Sequence, residues 1–244
     1  DDVVVYYFSD DTYRVYNTST EKYTTPRISW VVSAAENDSI GVYAIDDRRG
    51  FINTKTGDVV IDAKANDYEK AWVFSDGLAA VMKDGKVGFI NVDNELVIPF
   101  QFDYSSNRWG DTGYLFHDGY CVMTNKDGKF GLIDINGNWV VKPEYDELWN
   151  ACENGNRIVV NDSKHGVLDS CFKVLYPTEY FYIDVLSDGF VLTKDGKMWQ
   201  VDLDGNVVNP FMFDGSGYME YPVSYCSNNG IEYALSDYME YYIN

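Results

Sequence analysis

The chain has 244 residues and a formal charge of −20, from 19 Lys and Arg against 39 Asp and Glu. Nucleic-acid affinity comes mainly from Lys and Arg neutralising phosphates, so this balance excludes nucleic acid, and equally an anionic membrane surface, as a partner. Apolar residues at 45% and aromatics at 16% are too abundant for a disordered acidic tail. No apolar run approaches the ~18 residues that would imply membrane insertion. No signal peptide precedes Asp1, and a start at a residue other than Met fits a removed leader as well as an arbitrary boundary.

Taken in chain order, the sequence repeats itself. A weak first copy is Tyr13-Arg14-Val15-Tyr16-Asn17; a second is Gly50-Phe51-Ile52-Asn53 with Gly57 and Val59-Val60-Ile61. The clearest copy opens at Asp76-Gly77-Leu78-Ala79-Ala80-Val81 and continues through Lys83-Asp84-Gly85-Lys86 and Val87-Gly88-Phe89-Ile90-Asn91 to Pro99 and Asp103-Tyr104. The next places Asp118-Gly119, Lys126-Asp127-Gly128-Lys129, Phe130-Gly131-Leu132-Ile133-Asp134, Trp139-Val140-Val141, Pro143 and Tyr145-Asp146 in the same order. Two further copies centre on His165-Gly166-Val167-Leu168-Asp169 and Met198-Trp199-Gln200-Val201-Asp202, and a degenerate one on Gly230-Ile231-Glu232. Aligning Arg14, Gly50, Gly88, Gly131, Gly166, Trp199 and Glu232 gives spacings of 36, 38, 43, 35, 33 and 33 residues.

Short apolar runs bounded by Gly, Asn and Asp read as strands and turns. Asp84-Gly85, Asp127-Gly128 and Asp195-Gly196 supply the positive φ of tight hairpins, and Asn136-Gly137 and Asp204-Gly205 mark a second turn. Each unit is thus a hairpin plus a third strand, with a linking segment able to add a fourth, and no helix is expected. Units of ~35 residues cannot bury a core singly and must stack. The expected fold is all-β, a propeller of six or seven short blades, with a linear β-hairpin solenoid as the alternative. Ala79, Ala80 and the aligned glycines suit close approach near a propeller axis. The whole chain, 1–244, reads as one repeat domain with cores near 3–30, 38–72, 74–109, 115–150, 155–184, 186–214 and 221–244.

The layout resembles the bacterial WG-containing repeat family, most closely from Phe74 to Asp146. The Trp that this family places before the aligned Gly is replaced here by Val87, Phe130, His165 and Met198. The family is defined by its repeats, so the resemblance implies a β-propeller-like architecture and no catalytic residues.

Four aromatic residues recur in phase with the repeat. Trp72 follows Tyr68 by four residues, Trp149 follows Tyr145 by four, Trp109 follows Tyr104 by five, and Trp30 occupies a similar place upstream. In a symmetric ring Trp30, Trp72, Trp109 and Trp149 would form one binding face for sugar rings or protein side chains; otherwise they anchor the core of each blade. The runs Asp134–Asn138 and Asp202–Asn206 resemble calcium loops, but Gly stands fourth rather than sixth, so they read as turns. No metal or cofactor is expected, and chelators should leave the melting temperature unchanged. Cys152 and Cys171 flank a hairpin-sized segment and could pair in an oxidising compartment; otherwise the four Cys are small apolar residues of strands. His165 stands at an aromatic position and reads as packed. The last 47 residues, Met198–Asn244, hold seven acids, seven Tyr and no Lys or Arg, a solvated acidic face or one that steers a basic partner.

No nucleophile elbow, phosphate loop or zinc-protease motif is present. The expected function is a non-catalytic module presenting a repeat-built face to a protein or a glycan, acting as a monomer. The alternatives are a carbohydrate-active hydrolase using a carboxylate pair, and a structural spacer in a surface protein. The Tyr- and Asn-rich, helix-poor composition points to an extracellular or cell-surface location, with the cytoplasm as the alternative.

Overall fold

The structure is a computed structural model describing residues 3–32, 39–104, 114–149, 151–152 and 155–208, together with the backbone of strands at 215–218, 224–228 and 231–234. Among the described residues the strands form seven small antiparallel sheets, each an up-and-down meander. The strands of a complete sheet are denoted a to d in chain order. The second sheet comprises Trp30–Val32, Ile40–Ile45, Arg48–Asn53 and Val59–Ile61. The third comprises Lys70–Ala71, Ala79–Lys83, Lys86–Ile90 and Leu96–Asp103. The fourth comprises Phe116–His117, Tyr120–Thr124, Phe130–Asp134 and Trp139–Tyr145, and the fifth Glu147–Leu148, Arg157–Asn161, Lys164–Leu168 and Val174–Tyr180. The first sheet holds only b to d (Val3–Tyr7, Tyr13–Asn17, Lys22–Tyr23). The sixth holds a to c (Tyr182–Val185, Gly189–Lys194, Lys197–Asp202), as does the seventh (Gly215–Tyr218, Ser224–Asn228, Ile231–Ala234). The chain divides into two compact units, Asp1–Pro143 and Glu144–Asn244.

The all-β, short-bladed fold class read from the sequence holds. The seven aligned positions, Arg14 to Glu232, all fall in strand c. The linking segment does add a strand, as strand a of the following sheet. One element was not foreseen: a single helical turn, Ala63–Asn66, opened by Asp62, whose Oδ1 accepts from Ala65 N at 2.8 Å, and closed by Asp67 at φ 63°. Four residues are too few to show a helical period, but Asp62 is a legible N-cap.

The turns follow their sequences. Asp84 and Gly85 (φ 51° and 71°) and Asp195 and Gly196 (φ 53° and 71°) both take positive φ, as a two-residue hairpin requires. At Asp127-Gly128 only the Gly is left-handed, and the loop is longer, closed by Asn125 N donating to Lys129 O at 2.9 Å. The c–d turns share one device: the Oδ1 of Asn91, Asp134, Asp169 and Asp202 each accepts two backbone N–H groups, two and four residues on, at 2.8–3.1 Å. This is Asx-turn chemistry, and it occupies the carboxylates of both calcium-like runs. Burial raises the Asp134 pKa, but hydrogen bonds from Asn138 and Asn136 outweigh it and hold it below its ordinary value; at Asp202 those from Asn206 do the same. A carboxylate with a depressed folded pKa stabilises the fold above its unfolded pKa of about 3.9 and loses that contribution as pH falls through the folded value. Melting temperature should therefore fall on acidification below about pH 4. Asp134→Asn, which keeps the Oδ1 acceptor, should flatten that dependence in melts run from neutral to low pH. An unchanged acid profile would refute the assignment.

Strand alternation explains the unbroken apolar runs of strands b and c, which are buried on both faces. In the third sheet Ala79, Val81 and Ile90 pack with Val42, Phe51 and Ile61 of the sheet before it. Ala80, Met82, Val87 and Phe89 pack with Phe116, Cys121, Met123 and Ile133 of the sheet after it. In the second unit Ile158, Val160 and Val167 meet Ile183, Phe190 and Leu192 in the same way. Each apolar cluster is therefore shared between consecutive repeats. The aligned glycines have a different cause from the expected approach to an axis. Strand d bulges, and its carbonyl sits over the glycine Cα: an added Cβ would lie 2.5 Å from Ile61 O at Gly50, 2.8 Å from Ile98 O at Gly88, 2.6 Å from Val141 O at Gly131 and 2.7 Å from Tyr176 O at Gly166. The c–d register breaks across the glycine in the third and fifth sheets and one residue later, between Phe51 and Ile52, in the second.

The cysteines do not follow the sequence reading as a group. Cys121 is a buried strand residue, whereas half-buried Cys152 and exposed Cys171 are both free thiols in turns. Cys171 N donates to Asp169 Oδ1 and Cys152 N to Asn156 O. The Cys226 side chain lies outside the described residues, as does most of the acidic, Tyr-rich C-terminal stretch.

Candidate functional site

Strand register decides whether the repeat-phased Trp residues are equivalent. The residue facing the aligned glycine is Tyr43, Val81, Met123 or Val159. Trp72 N donates to Ala80 O and Trp149 N to Ile158 O, each one residue before that reference, so Trp72 and Trp149 are equivalent. Trp30 pairs with Ala44, one residue after it, where the third and fifth sheets have Lys70 and Glu147. Trp30 is thus two residues out of phase, and the expectation of one common position is corrected. Trp109 lies outside the described residues.

Their surroundings also differ. Trp30 and Trp72 are half-buried against shared clusters, and Trp72 meets Tyr114 edge-on at 4.6 Å. Trp149 is 42% exposed; its Nε1 donates to Glu147 Oε2 at 3.0 Å and its ring meets His165, which in turn meets Tyr182 at 5.2 Å. His165 is packed among aromatics, as its place in the repeat implied. Trp72→Ala should cost about 3 kcal/mol, the low end for a large buried aromatic, and Trp149→Ala about 0.5 kcal/mol or less, as for a surface change. Urea melts of the two variants check this; equal losses would contradict the difference in burial.

A different Trp lines the described cleft. In the first unit a cavity of about 390 Å³ runs between strand d of the third sheet and the fourth sheet, lined by Gln101, Phe102, Asp103, Thr124, Asn125, Lys126, Gly137, Asn138 and Trp139. Its volume falls within the range of small-ligand sites. The repeats supply an internal control for each wall residue, because the other sheets show what the scaffold requires at that phase. Trp139 stands where the other complete sheets carry Val59, Leu96 and Val174, the last two 47% and 60% exposed. The scaffold needs no aromatic there. Its indole lies against Gly131, where a Cβ would come within 2.7 Å of Cζ3, and meets Phe102 edge-on at 5.7 Å. Gly131 therefore lets the indole reach along strand c from the c–d turn toward the b–c turn.

Thr124 occupies a phase held by Ala44, Met82 and Val160 in the other complete sheets, all buried and apolar; the sixth sheet has a half-buried Thr193 there. Thr124 is 1% exposed, and its hydroxyl has no hydrogen-bond partner among the described residues. A buried unpaired hydroxyl costs about 1–3 kcal/mol. Lys126 lies in the longer b–c loop of the fourth sheet; the lysines that open the same Lys-Asp-Gly run elsewhere are held, Lys83 Nζ donating to Asn66 O and Lys194 pairing with Glu179, whereas Lys126 is exposed and forms no ion pair among the described residues. Asp103 is the one carboxylate among the described residues lining the cleft, and it is paired with Lys86. Asn125 is used by its own loop, accepting from Asp127 and Lys129 N. Sequence reasoning placed Trp139, Thr124 and Lys126 in or beside the repeat without selecting them; for Trp139 and Thr124 the legible signal was departure from the residue type most other repeats hold at that phase, whereas Lys126 shares its Lys-Asp-Gly run with Lys83 and Lys194.

A chain of repeated four-stranded meanders with a shared inter-sheet core is a β-repeat protein. The profile of the WG containing repeat matches residues 50–86, 88–107 and 130–164, each match beginning at or one residue before a strand-c glycine. These stretches are WG containing repeats, as the sequence layout implied. No curated protein matches the chain. Among solved structures, similarity is found to "Dihydro-heme d1 dehydrogenase NirN in complex with DHE", at 11% identity and a TM-score of 0.41 over 100% of this chain and 63% of that one. Similarity is also found to "KlHsv2 with loop 6CD replaced by a Gly-Ser linker", at 11% identity and a TM-score of 0.43 over 84% and 79%. Likeness at this level says nothing of ligand or activity. Among the described residues no helix is long and apolar enough to cross a membrane.

Proposed function

We propose that this chain is a non-catalytic binding module that presents a face built by consecutive repeats to a glycan or a protein. The observation that carries this reading is the Trp139 cleft, where an aromatic and a buried hydroxyl with no partner among the described residues depart together from what most other repeats hold there, beside the exposed Lys126 ammonium. Hydrolysis by a carboxylate pair is the weaker reading, because a glycosidase needs two acids about 5–9.5 Å apart and, among the described residues lining the cleft, Asp103 is the one carboxylate and is held by Lys86. A spacer has no use for Trp139 at a phase that Val59, Leu96 and Val174 fill in the other complete sheets. The module acts as a monomer at the cell surface or outside the cell, a location supported by its helix-poor, Tyr-rich composition.

The test is binding of the full chain and its Trp139→Ala variant to glycan and peptide arrays, with mass spectrometry of the recovered ligand. Retained, chemically unchanged ligand that is lost from the variant is expected. Cleaved ligand would overturn the non-catalytic reading, and identical array profiles for both proteins would overturn the site.

A further inference from the structure

We infer that the Trp139 cleft binds a neutral pyranose unit of a glycan; this names the ligand class for the site proposed above and rests on that reading. The C–H groups on one face of a pyranose carry slight positive charge and lie well against the negative face of an aromatic ring. The cleft offers an indole and, perpendicular to it, the Phe102 ring. Around these stand uncharged groups of the kind that pair with sugar hydroxyls. The Thr124 hydroxyl is both donor and acceptor and lacks a partner among the described residues. The Gln101 amide lies over Gly137, its Nε2 3.2 Å from where a Cβ would stand. The Asn138 amide nitrogen donates to Asp134 Oδ2 at 3.2 Å, which leaves its carbonyl to accept. Lys126 adds a donor at the rim.

The alternatives fit less well. A bound anion would face Asp103 and a chain of charge −20. A protein partner's hot-spot pocket is normally apolar and fully desolvated, lined to match one large side chain, whereas this cleft sets two rings among a hydroxyl, three amides and an ammonium. Thr124 gives the sharpest handle, since its hydroxyl is buried and unpaired without ligand. Removing it should leave the free protein as stable as before, or more so, while removing a hydrogen bond from the complex.

The experiment titrates the full chain with neutral tetrasaccharides of glucose, mannose, galactose and N-acetylglucosamine, read by Trp fluorescence and saturation-transfer NMR. At least one should bind saturably, with Trp139→Ala weakening it by about tenfold or more, equivalent to the loss of one good contact. Trp139→Phe, which keeps a ring should the Ala variant unfold, should weaken it less, and Thr124→Val should weaken it several-fold at unchanged or raised melting temperature. Absence of saturable binding to any of the four, or binding indifferent to both Trp139 and Thr124 changes, would overturn the inference. A peptide or protein ligand lost from Trp139→Ala on the arrays would overturn the sugar assignment and leave the binding-module reading standing. Cleaved tetrasaccharide would instead overturn the non-catalytic reading.

Discussion

Phe89→Ala is expected to destabilise the protein by about 3–5 kcal/mol, the range for removing a large ring from a packed core. Phe89 is fully buried in the cluster shared by the third and fourth sheets, 5.0 Å and edge-on from Phe116. Phe51 meets Phe74 one repeat earlier at the same 5.0 Å, with the rings tilted by 55°. The phenylalanine after the strand-c glycine thus reaches the phenylalanine that opens the next repeat. Total stabilities of domains run about 5–15 kcal/mol, so one such deletion removes a large fraction. In a repeat protein the loss falls on an interface between neighbours. Urea unfolding of Phe89→Ala should therefore show a lower midpoint and a shallower or split transition as the sheets uncouple. Val97→Ala, at a 43% exposed position, serves as the control and should shift stability by about 0.5 kcal/mol or less. A Phe89→Ala melt within about 1 kcal/mol of the parent would mean that the repeats are not held through this shared core.

Gly166→Ala is expected to cost about 3 kcal/mol, the upper end of the usual overpacking range. The new Cβ would come 2.7 Å from Tyr176 O, 2.9 Å from the Pro177 carbonyl carbon and 2.9 Å from Thr178 N. All three are backbone atoms of the bulged strand, so no side-chain rotation relieves the clash. Gly85 provides the contrast: an added Cβ would meet nothing within 4 Å, and only its φ of +71° resists substitution. Gly85→Ala should cost about 1–2 kcal/mol, the penalty for a left-handed L-residue. Denaturant melts of the two variants separate the causes. If Gly85→Ala proves the more damaging, the glycines of strand c are not there to admit strand d.

The sequence by itself determined what local chemistry controls. Asp-Gly pairs at 84–85 and 195–196 set hairpins, the Asx acceptors Asn91, Asp134, Asp169 and Asp202 set the next turn, and apolar runs set strands b and c. Each of these depends on residues within about five positions of one another, which a repeat prints into the sequence several times over. The tertiary structure decided what depends on a neighbouring sheet. Strand a is only two residues long in the third and fifth sheets, Lys70–Ala71 and Glu147–Leu148, and forms because strand b of its own sheet offers an open edge. The register difference that separates Trp30 from Trp72 and Trp149 exists only once strands are paired: an offset of two residues keeps the face but moves the side chain along the strand. The cleft needs more still. Gln101 and Phe102 come from one repeat and Thr124, Lys126 and Trp139 from the next, joined by packing between sheets. Sequence shows that Trp139 and Thr124 break the repeat's pattern; only the packed sheets bring those two breaks to the same cavity.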